Sequence, residues 1–266
     1  MKKEKDDLVH KVSVLFEDND CAVLFKPAGL MVHPAKSSQG DDRPAHLHDA
    51  LRDGKNTEPT LCDFILKKWP EVKNVGEPLK LQSGEEIPRP GIVHRIDRET
   101  SGALLIAKNQ EVFLHLKKQF QDREIRKTYN AYVYGLVKKE VGSINLPLGR
   151  SKGDFRQYAH PAKARGEMRE ALTYFTTLSA KKDFSYLELM PKTGRTHQIR
   201  AHLKAIQHPI VCDRIYAKSK PCALGFNRLA LHARLLTFRD AKGEEIVVEA
   251  PFPEDFVEAK RLFEAL

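Results

Sequence analysis

The stretch Gly91 to Asn109, GIVHRIDRETSGALLIAKN, constrains the fold of this chain more than any other. Two apolar runs, Gly91 to Val93 and Ala103 to Ala107, have the length and branching of buried strands, and the string between them is dense with charge and hydrogen-bonding groups. Asp97 stands at its centre. Thr100, Ser101 and Gly102 supply turn chemistry: hydroxyls that bond nearby amides and a glycine free to take positive φ. Such a loop between core strands can hold a carboxylate rigidly at a surface cleft. Taken alone, an aspartate in a polar turn more often caps backbone amides than acts as a catalyst.

Upstream, Val12 to Phe16 and Cys21 to Phe25 are short apolar runs split by Glu17-Asp18-Asn19-Asp20, a hairpin signal, and Lys26-Pro27-Ala28-Gly29 then turns the chain. Ala35 to Pro59 reads as a long surface loop with a helical turn near His46 to Leu51, and Lys73 to Pro90 as a second loop. Between them Thr60 to Trp69 has helical spacing and Pro70 as a stop. Asn109 is placed to cap a helix whose apolar face is Val112, Phe113, Leu116 and Phe120, with Gln119 and the lysines outward.

Arg126 to Leu136 alternates as a strand, putting Tyr129, Ala131 and Val133 on one face. Gly142 to Arg169 is loop-rich and basic. Glu170 to Leu178 and Phe184 to Met190 are strands joined by a turn at Ala180 to Asp183. A helix is expected to open at Thr196 and to turn Ile199, Leu203 and Ile206 to the core, and Pro253 to Ala265 reads as an amphipathic helix. Strands in series with segregated helices predict an α+β fold with a mixed, mostly antiparallel sheet and flanking helices.

Charge narrows the partners. The formal net charge is +9, and its distribution says more than its sum. Arg195 to Arg239 carries nine Lys and Arg against the single acid Asp213, whereas Asp240 to Leu266 carries eight acids against three bases. Segregation of this kind points to an electrostatic footprint for phosphate. No apolar run is long enough to cross a bilayer, and MKKEKDD lacks the apolar core of a signal peptide, so a cytoplasmic protein with no membrane partner is expected. Cys21, Cys62, Cys212 and Cys222 form no CxxC pair and read as small core residues, with no disulfide framework. His197 and His202 are five apart and would not share a helix face, so no metal site is expected.

The motifs together resemble the RluA family of RNA pseudouridine synthases. HRIDRETSG followed by an apolar strand and Ala107-Lys108 is similar to that family's signature loop. VLFEDNDCAVLFKPAGLMVHP resembles the opening of its catalytic domain. RKTYNAYVYGL is similar to its second motif and PKTGRTHQIRAHL to its third, and His208-Pro209-Ile210-Val211, Asp213, Tyr216 and Arg228 to Ala233 continue the match. Cys212 and Ala217 stand where relatives often have glycine, and Ile96 replaces the usual leucine. The resemblance covers roughly Val12 to Phe256 and implies one catalytic domain with a central cleft. Only about ten residues precede it, so the small N-terminal RNA-binding domain of many relatives is not expected here.

The resemblance implies site residues as well. Asp97 would be the nucleophile, Tyr129 would stack on the flipped uracil, and Arg195 would partner Asp97. Ile199 would form the apolar wall of the base pocket. His94, Arg95, Thr100 and Arg200 are the further residues expected at the substrate. Spacing alone would make Tyr129 a core residue and Arg195 a surface charge.

The implied reaction breaks the N1 glycosidic bond of a uridine, rotates the base and rejoins it through C5, with a carboxylate attacking either sugar or base. Nothing in it needs a metal, nucleotide or redox cofactor. The expected partner is RNA, ribosomal RNA of the large subunit by family habit and transfer RNA as the alternative, acted on by a monomer. Two other classes compete. A non-catalytic RNA-binding protein explains the charge but not Asp97, Tyr129 and Arg195 standing together in their motifs. A glycosidase normally pairs two carboxylates, and Glu99 is the only close candidate.

Overall fold

The computed structural model describes residues 7–33, 58–80, 86–151, 156–159 and 164–266. The expected helical turn near His46 to Leu51 lies outside them. The chain divides into two compact units, Met1–Glu124 with Phe238–Val248 and Ile125–Thr237 with Glu249–Leu266.

In the first unit, β1 (Ser13–Glu17) and β2 (Cys21–Lys26) form the anticipated hairpin. Asp18 closes it by accepting the amide hydrogens of Asp20 and Cys21 on Oδ1 at 2.8 and 2.7 Å, as Asx turns do. Helix α1 (Leu61–Lys68) starts where Asp63 accepts both the amide and the hydroxyl of Thr60, at 2.7 and 2.8 Å. The loop that follows contains a 3-10 turn (Pro70–Asn74) and the short antiparallel pair β3 (Leu79–Lys80) and β4 (Glu86–Ile87).

Strand β5 (Ser101–Ala107) is buried at every residue and pairs antiparallel with β2, Leu104 against Leu24. The expected strand at Gly91 to Val93 does not form, and Ile92 makes only an isolated bridge to Ile106. Gly91 sits at φ +64°, where a Cβ would lie 2.3 Å from the Ala107 carbonyl oxygen. The left-handed φ, open to a residue without a side chain, interrupts extended pairing there although the Gly91 carbonyl still accepts the Ala107 amide at 2.9 Å.

Helix α2 (Gln110–Gln121) is capped as expected, Asn109 Oδ1 accepting the Val112 amide at 2.9 Å. Gln119, expected to face outward, is instead buried at 4% exposure. Its side-chain amide donates to the Arg239 carbonyl and its oxygen accepts the Arg239 amide, at 2.7 and 2.9 Å. A buried primary amide survives because it pairs with both groups of one peptide position.

The second unit is built on strands β6 (Arg126–Tyr134), β7 (Val141–Asn145), β8 (Leu148–Ser151), β9 (Gln157–Tyr158), β10 (Ala164–Arg169), β11 (Leu172–Lys181) and β12 (Phe184–Pro191). Helix α3 (Gln198–Ala205), β13 (Leu231–Arg239), β14 (Glu245–Glu249) and α4 (Glu254–Glu264) complete the chain. Within this unit β13 as far as Thr237, then β6, β12, β11 and β7 lie side by side, antiparallel throughout. Tyr132 fills the centre, stacked on Tyr186 at 4.6 Å, with Phe226, Phe256 and Phe263 within 6 Å. Burying each such ring is worth roughly 2–3 kcal/mol. Helix α4 contributes Phe256, Ala259 and Phe263 to this core, as its spacing predicted.

Two features of this unit correct the expectations. The stretch expected to be loop holds β7 and a separate three-stranded sheet, ordered β10-β8-β9, whose short charged strands carry no apolar alternation. Cys212 and Cys222, expected to be core thiols, are joined in a disulfide with 4.5 Å between their Cα atoms. Their separation of ten residues gave no motif to read. Cys21 and Cys62 are buried free thiols. The architecture is α+β. Among the described residues no helix is long and apolar enough to cross a membrane.

Candidate active site

In the first unit the Asp97 loop is held from beneath by a lysine. Lys26 ends β2 with 0% exposure, and its ammonium donates to the carbonyls of Pro27, Leu30 and Arg98 at 2.8, 2.8 and 2.9 Å. The Arg98 carbonyl also accepts the Gly29 amide at 2.8 Å. In return Arg98 Nε donates to the Gly29 carbonyl at 2.9 Å, and its guanidinium pairs with Glu58. Gly29 adopts φ +87° to make this exchange. Two turns distant in sequence are thereby locked together, and the residue after Asp97 is fixed by its own main chain.

Asp97 is half-buried at the head of this clamp, its carbonyl accepting the Thr100 amide at 3.1 Å. Thr100 has 1% exposure, and its hydroxyl has no hydrogen-bond partner among the described residues. His94, expected at the substrate, has a structural duty: its Nε2 accepts the Leu105 amide at 2.9 Å and its ring stacks on Phe120 at 4.7 Å. The imidazole stands in where the chain leaves β5 after Ile92. Arg95 is exposed, with Nη1 3.2 Å from Nε2 of the buried His33.

In the second unit, Arg195 is presented by the turn between β12 and α3. Its amide donates to Gln198 Oε1 at 3.0 Å, and its Nε donates to the Glu170 carbonyl at 3.1 Å. Gln198 is the hub of that turn. Its oxygen also accepts the Thr193 hydroxyl at 2.6 Å, while its nitrogen donates to the Leu172 carbonyl and the Thr173 hydroxyl at 3.0 and 3.1 Å. The helix opens at Gln198 rather than Thr196, because His197 before it takes the left-handed φ of +52°.

Ile199 and Leu203 face the core as expected, and Ile206 packs against it. Tyr129 lies on β6 opposite Leu189 of β12 and Ala233 of β13, half-buried against the same cluster that contains Ile199. Two residues earlier on that strand, burial brings the Lys127 ammonium down to about 8.

Arg200, expected at the substrate, is buried in an ion pair. It is 4% exposed and grips Asp213 with two bonds, Nε to Oδ2 at 2.8 Å and Nη2 to Oδ1 at 2.9 Å. Asp213 Oδ1 in turn accepts the amides of Ile215 and Tyr216 at 2.9 and 3.0 Å. A fully desolvated fork of this kind orders the loop after the helix.

Arg195 and Thr196 open onto a cleft of about 330 Å³ whose other wall is the three-stranded sheet, with Arg150 of β8, Gln157 of β9 and Glu167 and Arg169 of β10 along it. Arg150 and Arg169 are exposed and make no ion pair among the described residues. Three guanidinium groups against one carboxylate make the cleft a seat for an anion. Among the described residues no three His, Cys, Asp or Glu side chains gather as a metal set. Lys26, Gln198 and Tyr216 carry much of this geometry, yet no role was read for them in the sequence. The only signal was their position inside quoted motifs.

Residues 20–205 match the family model described as RNA pseudouridylate synthase. The chain is 36% identical over 248 residues to the uncharacterized RNA pseudouridine synthase YlyB of Bacillus subtilis, covering 93% of this chain and 71% of that one. It is 33% identical over 251 residues to the ribosomal large subunit pseudouridine synthase D of Zymomonas mobilis, covering 92% and 70%. Among solved structures, the human RNA pseudouridylate synthase domain containing 4 superposes with a TM-score of 0.69 at 20% identity, over 99% of this chain and 96% of that one. The corresponding human domain containing 1 gives 0.65 at 23%, over 92% and 85%.

Proposed function

The chain belongs to the RNA pseudouridylate synthase family, isomerases acting on RNA, and on that premise we propose that Asp97 is the nucleophile which detaches a uracil from its ribose. The observation that carries this assignment is the clamp beneath the loop: Lys26, Gly29 and Arg98 fix the backbone next to a half-exposed carboxylate. Preorganisation of that kind has a use if the carboxylate must meet a reacting carbon at one angle.

The reaction conserves every atom. The N1–C1′ bond breaks, the base turns, a C5–C1′ bond forms, and the proton leaving C5 is balanced by one gained at N1. The Asp97 oxygen holds the fragment that would otherwise diffuse, by a bond to the sugar or to the base that breaks again as the product is released. Arg195 is the cation of the site and Tyr129 the surface on which the unstacked base rests. Ile199, closed into the core, keeps water from the intermediate.

A uridine must leave its stack to reach such a site, at a cost of a few kcal/mol that phosphate contacts offset. The cleft of Arg150, Arg169 and Arg195 is proposed to make those contacts. Large-subunit ribosomal RNA is the proposed substrate, supported by the similarity to the ribosomal large subunit pseudouridine synthase D of Zymomonas mobilis.

The test uses transcripts of large-subunit ribosomal RNA and of transfer RNAs carrying tritium at uridine C5, whose release reports C5–C1′ bond formation. The wild-type protein should release tritium from the ribosomal transcript, and Asp97→Asn should release none while binding it unchanged. Turnover by Asp97→Asn would remove the nucleophile assignment, and release only from transfer RNA would change the substrate.

A further inference from the structure

Tyr216 lies between the turn that presents Arg195 and the small sheet that carries Arg150, and its position gives it more contacts than packing requires. It is 6% exposed. Its phenol oxygen accepts the Gln157 amide of β9 at 2.8 Å and lies 3.2 Å from His197 Nδ1. Its ring meets the His197 ring edge-on at 87°, and the Arg200 guanidinium sits 5.3 Å from its centroid. Its own amide is tied to Asp213.

We propose that Tyr216 is a positioning residue for RNA binding, its hydroxyl setting the distance between the two arginine-bearing walls of the cleft. On one side Gln157 pairs in register with Arg150, so the amide held by Tyr216 belongs to the ladder position that carries that arginine. On the other side His197 stands two residues after Arg195, in a left-handed conformation that a non-glycine residue keeps only when its neighbours hold it. One oxygen atom thus touches both supports. A phosphate group contacted from both walls needs that spacing held to a few tenths of an ångström, because charge-assisted hydrogen bonds have a narrow range of length. The inference rests on reading the cleft as a phosphate seat.

The phenylalanine variant isolates the hydroxyl, since the ring and its packing stay. Four full-length proteins are compared: wild type, Tyr216→Phe, Arg150→Ala and the double variant. The probe is a fluorescein-labelled, uridine-rich single-stranded RNA, and amide hydrogen exchange is followed across the chain. Tyr216→Phe should weaken binding by about tenfold, the worth of one well-made hydrogen bond. It should speed exchange at residues 156–159 and leave exchange in the core strands unchanged. In the Arg150→Ala background the same substitution should weaken binding little further, since the spacing it sets has lost one wall.

Unchanged binding and exchange in Tyr216→Phe would make the residue a packing element. Equal losses in both backgrounds, or exchange that rises throughout the unit, would also overturn the positioning role. Should Arg150→Ala itself leave affinity untouched, the phosphate seat fails first, and that outcome is separate from any result at Tyr216.

Discussion

The ammonium of Lys26 donates to the carbonyl oxygen of Arg98 at 2.9 Å across 72 residues of sequence. It makes a strand end of the first hairpin the floor of the Asp97 loop. With two further carbonyl acceptors, all three protons of the amine are used, which is how a lysine can be fully buried. Replacing it with methionine keeps most of the volume and strands three acceptors. At about 1 kcal/mol or more for each stranded group, Lys26→Met should lose roughly 3 kcal/mol in urea unfolding. Its residual folded fraction should also turn over more slowly than wild type, because the loop is no longer held. Equal turnover per folded molecule would show that the clamp is irrelevant to chemistry.

Acid should destabilise the second unit through His232. Burial holds its imidazole at about 4, helped by Arg228 and Arg234 and opposed by the Ala250 carbonyl and Asp255. The folded state therefore keeps the ring neutral between about 4 and 6.5, while the unfolded chain binds a proton there. Stability is fully present above pH 6.5 and is lost as pH falls towards 4, by about 3 kcal/mol in total. Urea midpoints measured at half-unit steps from pH 7 to 4.5 should fall along that course. His232→Phe, whose ring can keep the packing against Phe252 and Phe256, should flatten it.

The features read correctly from sequence are those decided locally. The Asn109 cap, the inward face of α2 and the buried run of β5 follow from period and capping chemistry within a dozen residues. The failures are decided from far away. Gln119 turned inward because the backbone of Arg239 offered it both a donor and an acceptor, and nothing near it in sequence says so. Gly91 left its strand for a left-handed φ of +64° in which its carbonyl accepts the Ala107 amide at 2.9 Å. The same holds at the site. The Asp97 loop was legible as a motif, whereas the lysine beneath it and the fork on Arg200 were not, because a charge seen only in sequence reads as solvated until its partner is placed.

The disulfide between Cys212 and Cys222 closes a short loop that contains Asp213 and Tyr216. Chain entropy for a loop of this length gives a stabilisation of about 3 kcal/mol. Unfolding under oxidising conditions should therefore shift to lower urea when a reductant is added, and Cys222→Ser should already sit at the reduced value and ignore the reductant. Identical curves for wild type with and without reductant would mean that the bridge contributes nothing to stability.

Arg195 and Arg200 stand five residues apart in one motif, and their surroundings differ. Arg195 is half-exposed, and its guanidinium makes one bond to a carbonyl on the edge of the cleft. Arg200 is sealed against Asp213. Removing a half-exposed charge costs the fold little, so Arg195→Ala should unfold within about 1 kcal/mol of wild type and yet release no tritium from C5-labelled RNA. Removing Arg200 leaves a buried carboxylate without its cation, so Arg200→Ala should lose about 3–5 kcal/mol. Its activity should follow its folded fraction, recovering as conditions stabilise it, whereas that of Arg195→Ala should not recover under any stabilising condition. A fully folded but inactive Arg200→Ala would move that residue back to the substrate.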